Sequence, residues 1–295
     1  MAVVVSFISE KGGVGKTTTC YHIGIALKRY HEKAVLVVDA DYQRGGITGR
    51  LFPALIEAFH SGQISGTTLF HKYQQLYSAD QQTSSIDIRT PPLGVDVIVA
   101  DPRLATITVD KLPSINNIRE NNMLLLRHLA TIDFVLSPLK HTYDYILIDS
   151  HPEISDVLRS IIYASDYCVS PVKMDLQSSI GVPSVIAEIR NVNEDVELIR
   201  STVAPGLAFA PTRFAGAIGM MAREWGGEPK ETERAELRRL RQTGGVFECY
   251  TTEGDGLRQA SAQRIPVFEI SGTNAVKQSE QFRALTVEFL GRCHP

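Results

Sequence analysis

The feature that most restricts the fold is a glycine-rich segment, SEKGGVGKTTT, which lies between an apolar run at residues 3–8 and a helical pattern. Its three glycines permit backbone angles that other residues avoid, so the N–H groups of the loop can turn toward phosphate oxygens. A strand-to-helix turn without a ligand is the plain alternative. Two lysines and three glycines in this register favour a phosphate-binding loop. Its candidate residues are Lys11, Gly12, Gly13, Val14, Gly15, Lys16, Thr17 and Thr18.

Within this loop, Lys16 can reach the β- and γ-phosphates of a nucleotide, and the Thr17 hydroxyl can bind Mg²⁺. The helix that follows directs its positive N-terminus at the same anion. The common P-loop pattern has a glycine five places before Gly15, where this chain has Glu10, and a second lysine, Lys11, comes directly before the glycine pair. The segment KGGVGKTT therefore resembles the deviant P-loop of the ParA/MinD family of ATPases. This resemblance implies ATP and Mg²⁺ as cofactors.

The resemblance also implies an α/β fold of the single-domain P-loop NTPase type over residues 1–295, with a twisted, mostly parallel sheet covered by helices on both faces. The sequence agrees, because short apolar runs alternate with longer helical patterns. Strands are predicted at residues 3–8, 34–38, 94–100, 145–148, 166–171 and 214–220. Helices are predicted at residues 17–30, 69–77, 118–137, 157–162, 176–192, 232–241 and 274–290. The polar residues 60–92 are typical of a variable surface insertion.

Two aspartates, Asp39 and Asp41, directly follow the second predicted strand. Ligands of open α/β sheets bind at the carboxyl ends of the strands, so both carboxylates are expected near the phosphate loop. Turn and N-cap residues would be the alternative reading of the same pattern. The family resemblance implies that Asp41 orients the attacking water and that Asp39 helps to hold the magnesium shell.

A third aspartate, Asp149, ends the predicted strand at residues 145–148 and is placed like a Walker B acid that holds a magnesium-bound water. The family usually has two prolines after this position, whereas this chain has His151 in place of the first. His151 could act as a general base or as a hydrogen-bonded spacer, and the second reading is favoured. The segment after Asp41 also departs from the family pattern, with Tyr42 in place of a proline.

Composition excludes several classes of protein. The 295 residues are 43% hydrophobic and 21% charged, as in a globular domain, and the net charge is -3. No apolar run approaches the length of about 18 residues that a membrane span needs, so no membrane anchor is evident and a cytoplasmic protein is expected. The four cysteines are far apart and form no CxxC pair, which argues against a disulfide scaffold and against a zinc or iron–sulfur site.

The resemblance implies a slow ATPase that acts as a dimer switch in partition or positioning of DNA or another large cargo in a prokaryote. Lys11 would contact the nucleotide of the other subunit of an ATP-bound homodimer, and a ParB-like or other cargo adaptor would stimulate hydrolysis. The candidate face for nonspecific DNA, and thus for nucleoid association, is Arg234, Arg238, Arg239 and Arg241, although a solvated helix of mixed charge has the same pattern. The alternatives are a MinD-like spatial regulator on a membrane or protein surface and a nucleotide-gated DNA-binding scaffold with negligible turnover.

Overall fold

A computed structural model describes residues 1–43, 46–77, 85–92, 94–175 and 179–295. Its centre is a six-stranded parallel sheet with the strand order β3-β2-β4-β1-β5-β6. The strands are β1 (Val3–Phe7), β2 (Val35–Ala40), β3 (Asp96–Ile98), β4 (Tyr145–Ser150), β5 (Tyr167–Lys173) and β6 (Arg213–Met220). A separate two-stranded hairpin consists of β7 (Glu224–Trp225) and β8 (Glu228–Pro229).

Helices cover both faces of the sheet. They are α1 (Lys16–His31), α2 (Gly46–Leu51), α3 (Ile56–His60), α4 (Leu69–Tyr77), α5 (Ile118–Leu129), α6 (Thr131–Leu136), α7 (Asp156–Ala164), α8 (Gly181–Val203), α9 (Glu231–Thr243), α10 (Asp255–Gln263) and α11 (Thr273–Arg292). Short 3-10 turns lie at Pro53–Leu55, Pro102–Thr106, Val109–Lys111, Ser137–His141 and Val267–Glu269. The predicted α/β class and its mostly parallel sheet are confirmed.

The central strands are buried on both faces, which explains their continuous apolar sequences. On one face, α1 and α11 pack on the sheet, and the rings of Phe7 and Phe289 stack with their centroids 6.3 Å apart. On the other face, residues of α6 and α7 such as Ile132 and Ile161 pack against Val38 and Ile146. The sheet is thus held rigidly between two apolar layers, and its carboxyl edge can support a site.

The prediction of one helix over residues 118–137 is wrong, because the chain bends at Ala130 between α5 and α6. The Thr131 hydroxyl donates to the Arg127 carbonyl oxygen at 3.0 Å across this bend. The bend lets Leu129 pack with α7 and α8, whereas Ile132 packs in the layer against β2 and β4. The spacing of apolar residues along the sequence does not show that the two halves of this segment pack in different apolar clusters.

The prediction for residues 176–192 placed the end of that helix too early. The described helix, α8, continues to Val203, since Val196 and Ile199 extend the same buried face. The predicted start at residues 176–178 lies outside the described residues, as do residues 78–84 of the predicted insertion. Within the described ranges, no helix is both long and apolar enough to cross a membrane.

Candidate nucleotide-binding site

The glycine-rich loop connects β1 to α1 and wraps around the first turn of that helix. Gly13 and Gly15 have φ angles of +78° and +101°, in the left-handed region that L side chains rarely adopt. Gly15 is also the N-cap of α1, and a Cβ atom there would lie 3.1 Å from the Met220 side chain. The Lys16 ammonium folds back over the loop and donates to the Lys11 carbonyl oxygen at 3.3 Å. The loop is therefore fixed in a shape that requires glycine.

An open cleft of about 240 Å³ lies over this loop. The cleft brings together residues from the loop and from the carboxyl ends of β2, β4 and β6. Its lining is Gly12, Gly13, Gly15, Lys16, Thr17, Thr18, Asp41, Pro152 and Met221. Val14 is buried and is not part of that lining. Glycine main chain, a lysine and two threonines at a helix N-terminus make this cleft suited to a polyphosphate.

Asp39 and Asp149 lie directly opposite each other on the neighbouring strands β2 and β4. Both side chains are fully buried. Burial raises the pKa of Asp149 well above its usual value, and the nearby charge of Asp39 raises it further. Burial is also the largest cause of the raised pKa of Asp39. Two buried carboxylates this close cannot both be charged without a counter-charge.

These carboxylates fit a divalent cation. Within the described part of the chain, neither oxygen of Asp149 has a hydrogen-bond partner of normal geometry. The Thr17 hydroxyl and the Lys16 ammonium lower the pKa of Asp149, but they offset only part of the burial. Hard oxygen donors of this kind are the ligands that Mg²⁺ prefers. Thr17, Asp39 and Asp149 are therefore suited to hold magnesium beside the phosphate loop, and their role as ligands stays a prediction.

Asp41 differs from the other two acids because it lines the cleft. Its N–H donates to Asp39 Oδ1 at 3.2 Å, and its own Oδ1 accepts from the Gln43 N–H at 3.1 Å. These two hydrogen bonds hold the backbone and the carboxylate of Asp41 in place. Each carboxylate oxygen can accept more than one hydrogen bond, so a carboxylate at the cleft is a suitable acceptor for a water molecule.

Thr48 is a residue of the site that the sequence reasoning missed. Its N–H and its hydroxyl both donate to Asp39 Oδ2, each at 2.7 Å, and the hydroxyl accepts from the Ala100 N–H at 2.8 Å. Two residues earlier, a Cβ atom at Gly46 would lie 2.8 Å from Thr17 Cγ2. The only sequence signal was the Gly-Ile-Thr run after the aspartates, in a segment that departs from the family pattern.

His151 is fully buried and acts as a spacer in this structure. Burial, aided by the charge of Lys16, lowers its pKa to about 4, so the imidazole is neutral near pH 7. Its Nε2 forms a 2.8 Å hydrogen bond with the Ser155 hydroxyl, and its ring lies 4.1 Å from that of Tyr42. Because His151 does not line the cleft, it is poorly placed to act as a general base.

The four arginines of the candidate DNA face lie on α9, and none of them lines the cleft. Arg234 and Arg238 both pair with Glu231, at 3.2 Å and 2.8 Å, and Arg241 pairs with Glu248. These pairs are exposed, so each stabilises the helix only weakly. The pairing supports the alternative of a solvated mixed-charge face, and the DNA role of these residues stays a prediction.

The fold and the cleft define a P-loop nucleoside triphosphatase. A family model described as an AAA domain matches residues 2–201. The sporulation initiation inhibitor protein Soj of Bacillus subtilis is 27% identical over 194 residues, which are 66% of this chain and 67% of Soj. The chain belongs to the ParA/MinD family of P-loop ATPases. The chain spans about two thirds of the length of the curated relatives it matches.

Two solved structures show the same fold at low sequence identity. The ATP complex of a Cyanothece McdA variant has a TM-score of 0.72 at 18% identity, covering 98% of this chain and 96% of McdA. Cobyrinic acid a,c-diamide synthase from Mycobacterium smegmatis, with bound ADP and magnesium, has a TM-score of 0.63 at 18% identity, covering 100% of this chain and 98% of the synthase. Because the second of these proteins is a synthase, the fold alone does not fix the function.

Proposed function

We propose that this chain is a magnesium-dependent ATPase whose ATP-bound form is a homodimer, and that hydrolysis times the partition or positioning of DNA or another large cargo. Membership of the family supports the general part of this proposal, a partitioning or positioning ATPase. The observation that carries the ATPase part is the pair Asp39 and Asp149, which are buried opposite each other, with Asp149 next to Lys16 and Thr17 of the loop.

The residues of the cleft suggest how hydrolysis proceeds. Water attacks the γ-phosphorus and the bond to the ADP oxygen breaks, so negative charge shifts toward the leaving group. Lys16 and the loop N–H groups neutralise this charge, while Thr17, Asp39 and Asp149 would hold Mg²⁺. When bound there, the ion would supply charge neutralisation for the triphosphate. Asp41 accepts a hydrogen bond from the attacking water and so aligns it.

Lys11 is the residue that connects the nucleotide to dimerisation in this proposal. Its N–H donates to Ser9 Oγ at 3.3 Å, and its carbonyl accepts from Lys16. The main chain of Lys11 is therefore fixed next to the phosphate site. We expect its ammonium to contact the nucleotide of the second subunit, so that loss of the γ-phosphate loosens the dimer.

Nonspecific DNA is the proposed surface on which the dimer rests, with a ParB-like or other adaptor that stimulates hydrolysis. The net charge of -3 means that any DNA contact must be local. On α9, phosphates would have to compete with Glu231 for Arg234 and Arg238. Binding of this kind depends on phosphate contacts and therefore falls steeply as salt rises.

The test is steady-state phosphate release combined with nucleotide binding. Asp41→Ala should bind ATP normally but hydrolyse it roughly 100-fold more slowly or worse, because the water loses its orienting group. Lys16→Ala should lose nucleotide binding. Asp110→Ala, which removes an exposed aspartate outside the cleft, is the control and should behave like the wild type. Normal turnover in Asp41→Ala would remove this residue from the mechanism. Negligible turnover in the wild type, even with DNA, would favour the nucleotide-gated scaffold.

A further inference from the structure

We propose that Trp225 anchors the contact between two copies of this chain, on the face that surrounds the phosphate cleft. This inference rests on the proposed ATP-bound dimer and adds which surface forms its seam. Three large apolar side chains are exposed on this face: Ile154, Ile180 and Trp225, with exposed fractions of 58%, 53% and 83%. We refer to them as the apolar triad. Each follows a different strand, β4, β5 or β6, whose carboxyl ends share one edge of the sheet.

Each member of the apolar triad lies within four residues, in sequence, of a position at the phosphate site. Ile154 follows Pro152, which lines the cleft, by two residues. Ile180 precedes Gly181, where a Cβ atom would lie 3.5 Å from the carboxylate of Glu10 in the phosphate loop. Trp225 follows Met221, also in the cleft lining, by four residues. The apolar triad therefore lies in segments that follow the strands at whose carboxyl edge the phosphate cleft is found.

The structure fixes the backbone of the hairpin that carries Trp225. Gly226 and Gly227 join β7 to β8 with φ angles of +61° and +86°, as a two-residue type I′ turn requires. Glu224, next to Trp225, accepts a 2.9 Å hydrogen bond from the Tyr250 hydroxyl and pairs with Lys277. Because the backbone at Trp225 is already ordered, binding would restrict only the side chain, and large aromatic side chains are typical of interface hot spots.

The base of the hairpin is braced as well. Arg223 pairs at 2.6 Å with Glu233, whose side chain is only 1% exposed. The Ala222 N–H donates to the Thr251 carbonyl oxygen at 2.8 Å. The hairpin is thus attached both to α9 and to the segment before α10, and it does not depend on a partner for its shape.

Charge on this face fits a second copy of the chain as the partner. The cleft beside the hairpin contains both signs, with Arg223, Lys230 and Lys277 next to Glu224 and Glu253. A two-fold contact places one patch against itself, so a patch with both signs is self-complementary.

Met221 offers a direct route from the nucleotide to the hairpin. Its φ of +55° lies in the left-handed region, which is unfavourable for a residue other than glycine. Such strained residues persist where the surrounding structure imposes them, often at ligand sites. Because Met221 lines the cleft and shortly precedes β7, a nucleotide in the cleft would lie next to a strained residue at the start of the hairpin segment.

The chain contains a single tryptophan, so its intrinsic fluorescence reports on this residue alone. The experiment uses full-length Asp41→Ala protein and measures tryptophan emission, acrylamide quenching and mass by light scattering in MgATP and in MgADP. In MgATP we expect a doubled mass together with a blue shift and weaker quenching. Trp225→Ala should retain ATP binding while the Kd of the dimer rises roughly tenfold or more. Phe134→Ala, which removes another exposed aromatic residue from a different surface, is the matched control and should not change the Kd.

The outcomes separate this inference from the proposed function. If the mass doubles in MgATP but Trp225 stays exposed and Trp225→Ala dimerises normally, this inference is overturned while the dimer switch stands. If Trp225 becomes shielded only when DNA or an adaptor protein is added, the surface belongs to that partner and the inference is also overturned. If ATP binds without any change in mass, both the dimer switch and its seam are wrong.

Discussion

Replacement of Thr48 by valine is expected to disturb both the stability of the fold and the metal carboxylate. Valine has nearly the shape of threonine, so the change removes the hydroxyl and little else. That hydroxyl donates to Asp39 Oδ2 at 2.7 Å and accepts from the Ala100 N–H at 2.8 Å, and the Thr48 side chain is only 1% exposed. The substitution therefore leaves a buried N–H without a partner and a carboxylate with one donor fewer.

The magnitude follows from these two contacts. A hydrogen bond to a charged group contributes about 1.5 to 3 kcal/mol, and an unpaired buried N–H costs about 1 to 3 kcal/mol. Asp39 keeps the N–H donors of Thr48 and Asp41, so we expect a loss of about 3 kcal/mol in the free energy of unfolding. Thr48→Ser keeps the hydroxyl and loses one methyl group, which costs about 1 kcal/mol.

The assay is urea unfolding of both variants, combined with MgATP binding at two pH values. The Thr48 hydroxyl lowers the pKa of Asp39, so its loss raises that pKa further. A larger fraction of Asp39 is then protonated in the variant, and MgATP affinity should fall more at about pH 6 than at about pH 8. Equal stability of the valine and serine variants, or a loss of affinity independent of pH, would refute the assigned role of Thr48.

Two further predictions concern buried positions outside the cleft. Burial lowers the pKa of His22 to about 3 in the folded chain. The unfolded chain therefore binds more protons than the folded chain from about pH 6.5 downward. By about pH 4, acidification should lower the free energy of unfolding by roughly 3 kcal/mol. His22→Gln should reduce this slope in urea titrations at a series of pH values, and an unchanged slope would count against the assignment. Gly256→Ala places a Cβ atom 2.6 Å from the Ala275 Cα and should cost about 1 to 3 kcal/mol in thermal unfolding. Gly291→Ala, which meets open space on the same pair of helices, should be neutral or stabilising, and a similar loss in both would contradict the packing argument.

The sequence predicted most of what is local. The phosphate loop was recognisable because its glycines and lysines have fixed spacing between a strand and a helix. Asp39 and Asp149 were identified because each directly follows an apolar run, and carboxyl ends of parallel strands meet at one edge. Both signals arise within about ten residues of chain, where propensity and pattern act.

The remaining features depend on contacts between distant segments. The pairing of Asp39 with Asp149 requires the register of β2 on β4, across more than a third of the chain. Thr48 belongs to the site through its bonds to Asp39, and its bond to Ala100 joins it to a segment that is distant in sequence. Met221 lines the cleft because it directly follows the end of β6. The bend at Ala130 was hidden for the same reason, since two halves of one apolar stripe join different clusters. Strand register, contacts between distant segments and helix bends are set by tertiary packing, which cannot be derived from a single sequence.

The central claim is that ATP binding creates a dimer that rests on DNA. Its most direct test is equilibrium binding of the Asp41→Ala protein to random-sequence duplex DNA. Binding is measured in MgATP and in MgADP, at two salt concentrations. Lys11→Ala in the same background is the control. The account predicts binding in MgATP alone, weakened by salt through the loss of phosphate contacts and abolished in the control. A dimer that forms in MgATP but ignores DNA at both salt concentrations would contradict it and would point to positioning on a membrane or protein surface instead.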